Sequence, residues 1–402
     1  MISDFKTSRK VKLPKPDLSI SIDERDNISE DKDPEPTPPI SKMRKPSTEN
    51  KWYKPPYSKK EKWILAGIAA GIIIILLGVL GYLHYHQKKH DSVTVSLKAK
   101  VAPVYKSPLT GAVVTQAESQ LPVTAVMIEN SDGARPQSGL SQAGVVFEAL
   151  AEGGVTRFMA LFEEGQPSSV GPIRSARPYF IDWLLPFNAA YAHVGGSPDA
   201  LNEISSLGVK NMDEFAYGGS YTRLSSRPAP HNVYTSMSTL LALEKSKGWA
   251  ATSFTSFARK ADSPAKVPTA TNINFAMSGP DMAVNYQYAA KTNSYLRSEA
   301  GTPMVDANTN QQLNPKVVVD MVIPWSYGPL DATGAYYTAY TDIGSGQAYI
   351  FQDGTVTTGS WTKSSQNSQI QFTDSTGKPI SLNAGQTWIT ASGKTSEVTY
   401  SH

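Results

Sequence analysis

The sequence predicts an α/β domain followed by a mainly β domain, both preceded by one transmembrane helix and a disordered tail. Three observations carry this. One long apolar run, 63–85, holds no charged residue. Through 121–262, strand-like runs alternate with helical ones. From 263 to 402 the chain is poor in helix formers and breaks into short runs separated by turns.

Residues 1–62 are rich in proline, lysine and acids, as in Asp31-Lys32-Asp33-Pro34-Glu35-Pro36, with few large apolar side chains to bury. The basic end of this tail suits anionic lipid and its acidic middle suits a cytoplasmic partner; a merely solvated tail satisfies the composition equally well. The run from Ile64 to Gly81 is apolar enough to cross the hydrocarbon core, which takes roughly 20 residues. Trp63, Tyr82 and Tyr85 suit the two interfaces, and Ala66, Gly67, Ala70 and Gly71 offer a small-residue face for weak helix pairing. Lys42, Arg44, Lys45, Lys51, Lys54, Lys59, Lys60 and Lys62 precede the run, against Lys88, Lys89, Lys98 and Lys100 after it, which predicts a cytoplasmic N-terminus. The run begins late, is long, and has no obvious small-residue cleavage site, so a signal anchor is expected over 63–85 rather than a cleaved signal peptide.

A spacer of mixed β character is expected over 86–120, before the α/β domain of 121–262. There, Val123 to Ile128, Val155 to Phe162 and Ala189 to Val194 read as strands. One helix begins at Pro178; a second begins at Pro198 with Ser197 as its cap; a third runs from about Thr235 to Lys247 and stops at Gly248. In the β-rich domain of 263–402, candidate strands are Asn272 to Met277, Ala283 to Tyr288, Lys316 to Ile323, Ala335 to Thr341, Ala348 to Phe351, Gln369 to Phe372 and Thr387 to Thr390. Gln352-Asp353-Gly354 and Ser375-Thr376-Gly377-Lys378 read as turns between them.

Charge and composition exclude several functions. A net charge of +3, from 38 basic and 35 acidic residues, gives no global field for nucleic acid. The chain has no cysteine, which removes disulfides, thiolate metal sites, cysteine nucleophiles and the residue a bacterial lipoprotein would acylate. No cofactor is implied; His193 and His231 form no close pair of helical spacing for a metal site, and His84, His86 and His90, at the end of the apolar run, are spaced for adventitious metal binding only.

The chemistry concentrates in Val170-Gly171-Pro172-Ile173-Arg174-Ser175-Ala176-Arg177-Pro178, where two arginines stand three residues apart before a helix start. Helix N–H groups with Arg174 and Arg177 would suit a phosphate, pyrophosphate or carboxylate; pairing with Glu148, Glu152 or Asp182 is the plainer alternative. Candidate ligand-binding residues are Arg135, Arg157, Arg174, Arg177, Arg227, Glu129, Asn130, Glu152, His193, His231 and Asn232. Should the five arginines converge, their charge would exceed what one or two carboxylates neutralise and would call for an anionic ligand. His193 and His231 are candidate general bases with Glu129 or Glu152 as partners, yet no serine–histidine–acid motif or nucleophile elbow is present. Either histidine serves as well to order a strand end or turn.

The same motifs carry a resemblance. Val123 to Asn130, Ala134 to Leu140, Ala149 to Phe158, Val170 to Pro178, His193 to Ser197 and Pro230 to Thr235, in that order, resemble the YerB-like family, domain of unknown function 3048. Phe351 to Trp361 and Leu382 to Ile389 resemble its second domain, so the likeness covers roughly 100–395. What the resemblance implies is an extracytoplasmic, membrane-tethered bacterial protein, in many relatives a lipoprotein, connected with the cell wall and its synthases. The transmembrane run here departs from the lipoprotein pattern. Two functions are therefore expected as alternatives. One is a module binding an anionic envelope component, such as an anionic glycan or polyprenyl phosphate, or a cell-wall synthesis protein. The other is a transferase or hydrolase acting on a phosphorylated or lipid-linked glycan.

Overall fold

The computed structural model describes residues 58–90, 103–250, 253–330 and 334–402. The expected tail lies outside them up to residue 57, as does the stretch 91–102 of the expected spacer. The chain divides into two units, Met1–Lys98 and Ala99–His402.

In the first unit, α1 (Lys59–His90) is one continuous helix whose stretch Lys59–Gln87 is long and apolar enough to cross a membrane. Its start is a capping box: Ser58 N–H donates to Glu61 Oε2 at 2.6 Å, and Glu61 N–H donates back to Ser58 Oγ at 3.4 Å.

In the second unit the main strands follow in chain order. They are β1 (Thr124–Glu129), β2 (Val145–Leu150), β3 (Thr156–Phe162), β4 (Ala190–His193), β5 (Lys210–Asp213), β6 (Asn272–Phe275), β7 (Val284–Ala289), β8 (Ser294–Glu299) and β9 (Thr302–Pro303). Then come β10 (Val317–Val322), β11 (Trp325–Leu330), β12 (Tyr336–Tyr340), β13 (Gly344–Gln352), β14 (Thr355–Lys363), β15 (Gln371–Asp374), β16 (Thr387–Ser392) and β17 (Val398–Ser401). Helices α2 (Pro178–Leu184), α3 (Pro198–Ser206) and α4 (Met237–Ser246) lie between β3 and β6. The fold class is the expected one, a mixed α/β part and a mainly β part. Pro178 and Pro198 each open their helix, and Ser197 Oγ accepts from Ala200 N–H at 3.3 Å.

Ten strands form one mixed sheet in the order β15-β14-β13-β10-β16-β2-β3-β1-β4-β5. The strand from late in the chain, β16, lies between β10 and β2 and is parallel to both, with Trp388 opposite Val318 on one side and Val146 on the other. Strands from 121–262 and from 263–402 therefore share a single sheet. Both faces are covered, so the strands alternate between two cores rather than between core and water. Ala125 and Met127 of β1 pack with α2 and α3, while Val126 and Ile128 pack with α4 and the second sheet. That second sheet is antiparallel, in the order β9-β8-β7-β6-β17. The β11–β12 hairpin stands apart from both sheets.

Candidate functional site

The motif 170–178 is stitched in by its backbone. Ile173 N–H donates to Val233 O at 2.8 Å, Arg174 N–H to Met127 O at 3.0 Å, and Ala176 N–H to Gly195 O at 2.9 Å. Arg177 is extended and sits just before α2, which is only 7 residues long. The side chains then take different partners, although Arg157 and Arg177 meet on one carboxylate and Arg174 lies near enough to Arg157 to feel its charge. Arg157 donates to Glu152 at 2.7 Å and to Ser175 O at 2.9 Å. Arg177 shares the same Glu152, bonds Ala176 O and lies over the Tyr337 ring, 4.9 Å from its centroid. Arg174 Nε lies 3.4 Å from Glu129, Arg135 binds Glu299 at 2.9 Å, and Arg227 donates to the carbonyls of Ala134 and Pro136 at 2.8 and 2.9 Å. The reason is desolvation: a guanidinium taken from water needs an acid or carbonyls at once, and Arg157 and Arg177 divide one acid between them. Burial lowers the pKa of Arg157 and Arg174, and the nearby Glu129 carboxylate acts against it.

Glu129, at the end of β1, gathers three neighbours. Ser131 Oγ donates to it at 2.8 Å, and His231 Nδ1 lies 2.9 Å from its other oxygen, with Arg174 alongside. His231 thus meets Glu129, one of the two acids named as its partner from the sequence, and Ser131, which the sequence did not single out, joins them. They do not form a hydrolytic triad: Ser131 and Glu129 both approach the same ring nitrogen, at 3.4 and 2.9 Å, and a triad needs them on opposite ones. The far nitrogen Nε2 packs over Gly133, where a Cβ would stand only 2.9 Å away. His193 is fully buried, with Nδ1 2.8 Å from Gly195 O and Nε2 2.9 Å from Asn211 Oδ1, and burial lowers its pKa. Asn232 keeps to its turn, where its carbonyl accepts from Leu224 N–H at 2.8 Å.

Asn130 belongs to a different cluster, most of which sequence reasoning missed. Arg297 on β8 is wholly buried between Glu148, at 3.0 Å, and Glu299, at 3.3 Å, and lies 4.4 Å from the Trp388 ring centroid. Trp388 Nε1 donates to Glu148 at 2.9 Å, and Asn130 Nδ2 donates to Glu299 at 2.6 Å. Burial opposes the charge on Arg297, but the carboxylates of Glu148 and Glu299 hold it firmly protonated. With Arg135 the four charges alternate in sign and join the two sheets. The signal available in the sequence was the alternation Tyr295, Arg297, Glu299 on one face of a strand.

The main cleft, about 560 Å³, opens between the N-terminal ends of α2 and α3 and the β11–β12 hairpin. Arg177, Asp182, Tyr179, Tyr337, Tyr340 and Asp342 are among its walls. Asp182, expected as an arginine partner, instead faces Asp342. Neither Asp182 Oδ1 nor Asp342 Oδ2 receives a protein donor, although the residues are only 8% and 5% exposed. Burial and the opposing carboxyl push Asp342 up to about 7, and burial raises Asp182. Lys363 faces the pair from β14, its Nζ donating to Gln366 O and Ser368 O at 2.7 and 2.8 Å; burial brings it down to about 8 against the pull of both aspartates. Among the described residues no three His, Asp or Glu side chains gather as metal ligands.

Comparison with known proteins gives a consistent outcome. Residues 109–250 match the model "Protein of unknown function (DUF3048) N-terminal domain", and 272–389 match the corresponding C-terminal domain. The chain is 32% identical over 289 residues to "Putative lipoprotein YerB" of Bacillus subtilis (strain 168), covering 71% of this chain and 85% of that protein. It is also similar to the crystal structure of the YerB protein from Bacillus subtilis, with a TM-score of 0.65 and 29% identity over 74% of this chain and all of that one.

Proposed function

Because this chain belongs to the DUF3048 family, we propose that it is a membrane-anchored recognition module of the bacterial cell envelope. Its folded unit stands outside the membrane and receives an envelope component or a wall-synthesis protein in the cleft between α2, α3 and the hairpin. The lysine bias around α1 supports that orientation, and the name of the Bacillus subtilis relative speaks for an envelope location. The observation that carries the reading is the cleft itself, a concave site of about 560 Å³ walled by tyrosines and charged side chains. An anionic ligand held by the arginines is less well supported, since Glu129, Glu152, Glu299 or backbone carbonyls already oppose each one.

One observation favours a second reading, a transferase or hydrolase acting on a lipid-linked glycan: the carboxyl pair Asp182–Asp342 has the raised pKa that general acids use. The test titrates the full-length protein in nanodiscs with muropeptides and undecaprenyl pyrophosphate, following binding and product together. Retention without product, weakened about tenfold by Tyr337→Ala, is the expected outcome. Product formation abolished by Asp342→Asn would make it an enzyme.

A further inference from the structure

The geometry points to an intramolecular amide cross-link between the side chains of Lys260 and Asn383, formed by the folded chain itself with Asp353 as the proton carrier. It is independent of what the cleft receives. The short segments Arg259–Lys260 and Leu382–Asn383 pair in parallel, with Lys260 opposite Asn383. Lys260 Nζ donates to the Asn383 carboxamide oxygen, which sets an amine nitrogen against the carboxamide it would attack. The same nitrogen donates to Asp353 Oδ2 at 2.6 Å, and Asn383 Nδ2 donates to Asp353 Oδ1 at 2.7 Å. One carboxylate therefore bridges the nitrogen that has to lose a proton and the nitrogen that has to gain one. Asn293 Nδ2 and Ser263 N–H fix that carboxylate at 2.8 and 3.0 Å, and Asn383 N–H is itself fixed on Gln352 Oε1 at 2.8 Å. Asn383 is wholly buried and Asp353 nearly so, which keeps water from competing with the amine. A lysine paired with an aspartate alone would be an ordinary ion pair; a carboxamide touching both partners is what makes a reaction available.

The step balances without a co-reactant. Lys260 starts as an ammonium paired with the Asp353 carboxylate, so a proton passes from Nζ to Asp353 without changing the net charge of the site. The lone pair freed on Nζ attacks Cγ of Asn383, and the C=O electron pair moves onto Oδ1. The Cγ–Nδ2 bond then breaks as Asp353 delivers its proton to Nδ2, the C=O bond re-forms, and ammonia leaves. A second Nζ proton passes to Asp353 and departs with the ammonia as ammonium, which restores the carboxylate. Lysine ammonium and carboxamide thus give one amide and one ammonium ion, and nothing is oxidised or reduced. Against burial, hydrogen bonds from Lys260, Asn293 and Asn383 keep Asp353 ionised; the first transfer is therefore uphill, and the bond forms slowly, once in the life of each chain. The link ties residues 123 apart in sequence, a closure that no disulfide can supply in a chain without cysteine.

The test is intact-mass spectrometry of the full-length protein, purified in detergent and incubated at neutral pH, followed by tryptic mapping. Wild-type chains should be lighter than the sequence mass by one ammonia, in a fraction that grows with time. They should yield a branched peptide joining Lys260 to Asn383, with no cleavage after Lys260. Lys260→Arg, which keeps the cation, and Asp353→Asn should both stay at their full mass and run more slowly than the wild type on denaturing gels, because the loop between 260 and 383 is no longer closed. Where Asp353→Asn fails to fold, Lys260→Arg carries the comparison. Wild-type protein that remains at its sequence mass after days of incubation overturns the inference. So does an ammonia loss that persists in Lys260→Arg, or one that maps to Asn383 without Lys260, which would be cyclisation of the asparagine on its own backbone. A cross-link that forms undiminished in Asp353→Asn overturns the role given to Asp353.

Discussion

Arg297 shows what a single side chain can hold together. Its guanidinium is closed off from water by Trp388, Phe158 and Tyr286 and paired with two carboxylates. Arg297→Met would leave the buried Glu148 without a cation and Glu299 with Arg135 alone, a loss on the order of 3–5 kcal/mol in denaturant unfolding. Adding Glu148→Gln to that variant should return part of the loss, since a neutral group no longer needs the cation; a double variant no better than the single one would contradict this. The acids and arginines of the site were legible in the sequence as residues, and Arg177 with Glu152 was among the pairs named, but most of the pairing was not legible. Glu152 lies close enough in sequence to Arg157 for their pairing to be considered in advance. Glu148 and Arg297, or Asp182 and Asp342, lie more than a hundred residues apart, and no local pattern joins them.

Elements with a plain physical signal were readable. β1, β3, β4 and β10 are apolar runs, and α3 and α4 carry serine caps with the side chain accepting from the helix N–H groups. The strands that escaped notice had mixed signals. Val145 to Leu150 ends in Glu-Ala-Leu, good helix formers; Lys210 to Asp213 is short and polar; Thr355 to Lys363 is a run of threonine, glycine and serine whose place is set by its neighbours β13 and β15. The turn between β13 and β14 was readable because Asp353 and Gly354 both take positive φ, 59° and 75°, as a two-residue hairpin requires. Gly354 also lies close beneath Tyr288, where a Cβ would stand 2.7 Å from the ring. Gly354→Ala should therefore cost about 1–3 kcal/mol by thermal unfolding; a neutral result would mean the turn relaxes freely.

Across the whole molecule, buried acids set the response to pH. Burial pushes Asp320, Glu244 and Asp342 each up to about 7. Between their unfolded values near 4 and that point the folded state keeps protons that the unfolded chain has released, so stability falls as pH rises through this window. Asp353 acts in the opposite sense: burial would raise it, but hydrogen bonds from Lys260, Asn293 and Asn383 hold it at about 2, so its contribution is lost only in stronger acid. Melting followed from pH 5 to pH 8 should show Tm falling by on the order of 5 °C, with a shallower slope in Asp320→Asn. A Tm that rises over this range would contradict the assignment. One feature of the fold bears on how the protein is made. The strand that closes the middle of the large sheet, β16, leaves the ribosome after every other strand of that sheet. Until it arrives, β2 and β10 each present a bare hydrogen-bonding edge, so the nascent chain must be kept from pairing with its neighbours throughout synthesis. A gene fragment encoding either half alone would produce an unfinished sheet rather than a usable module.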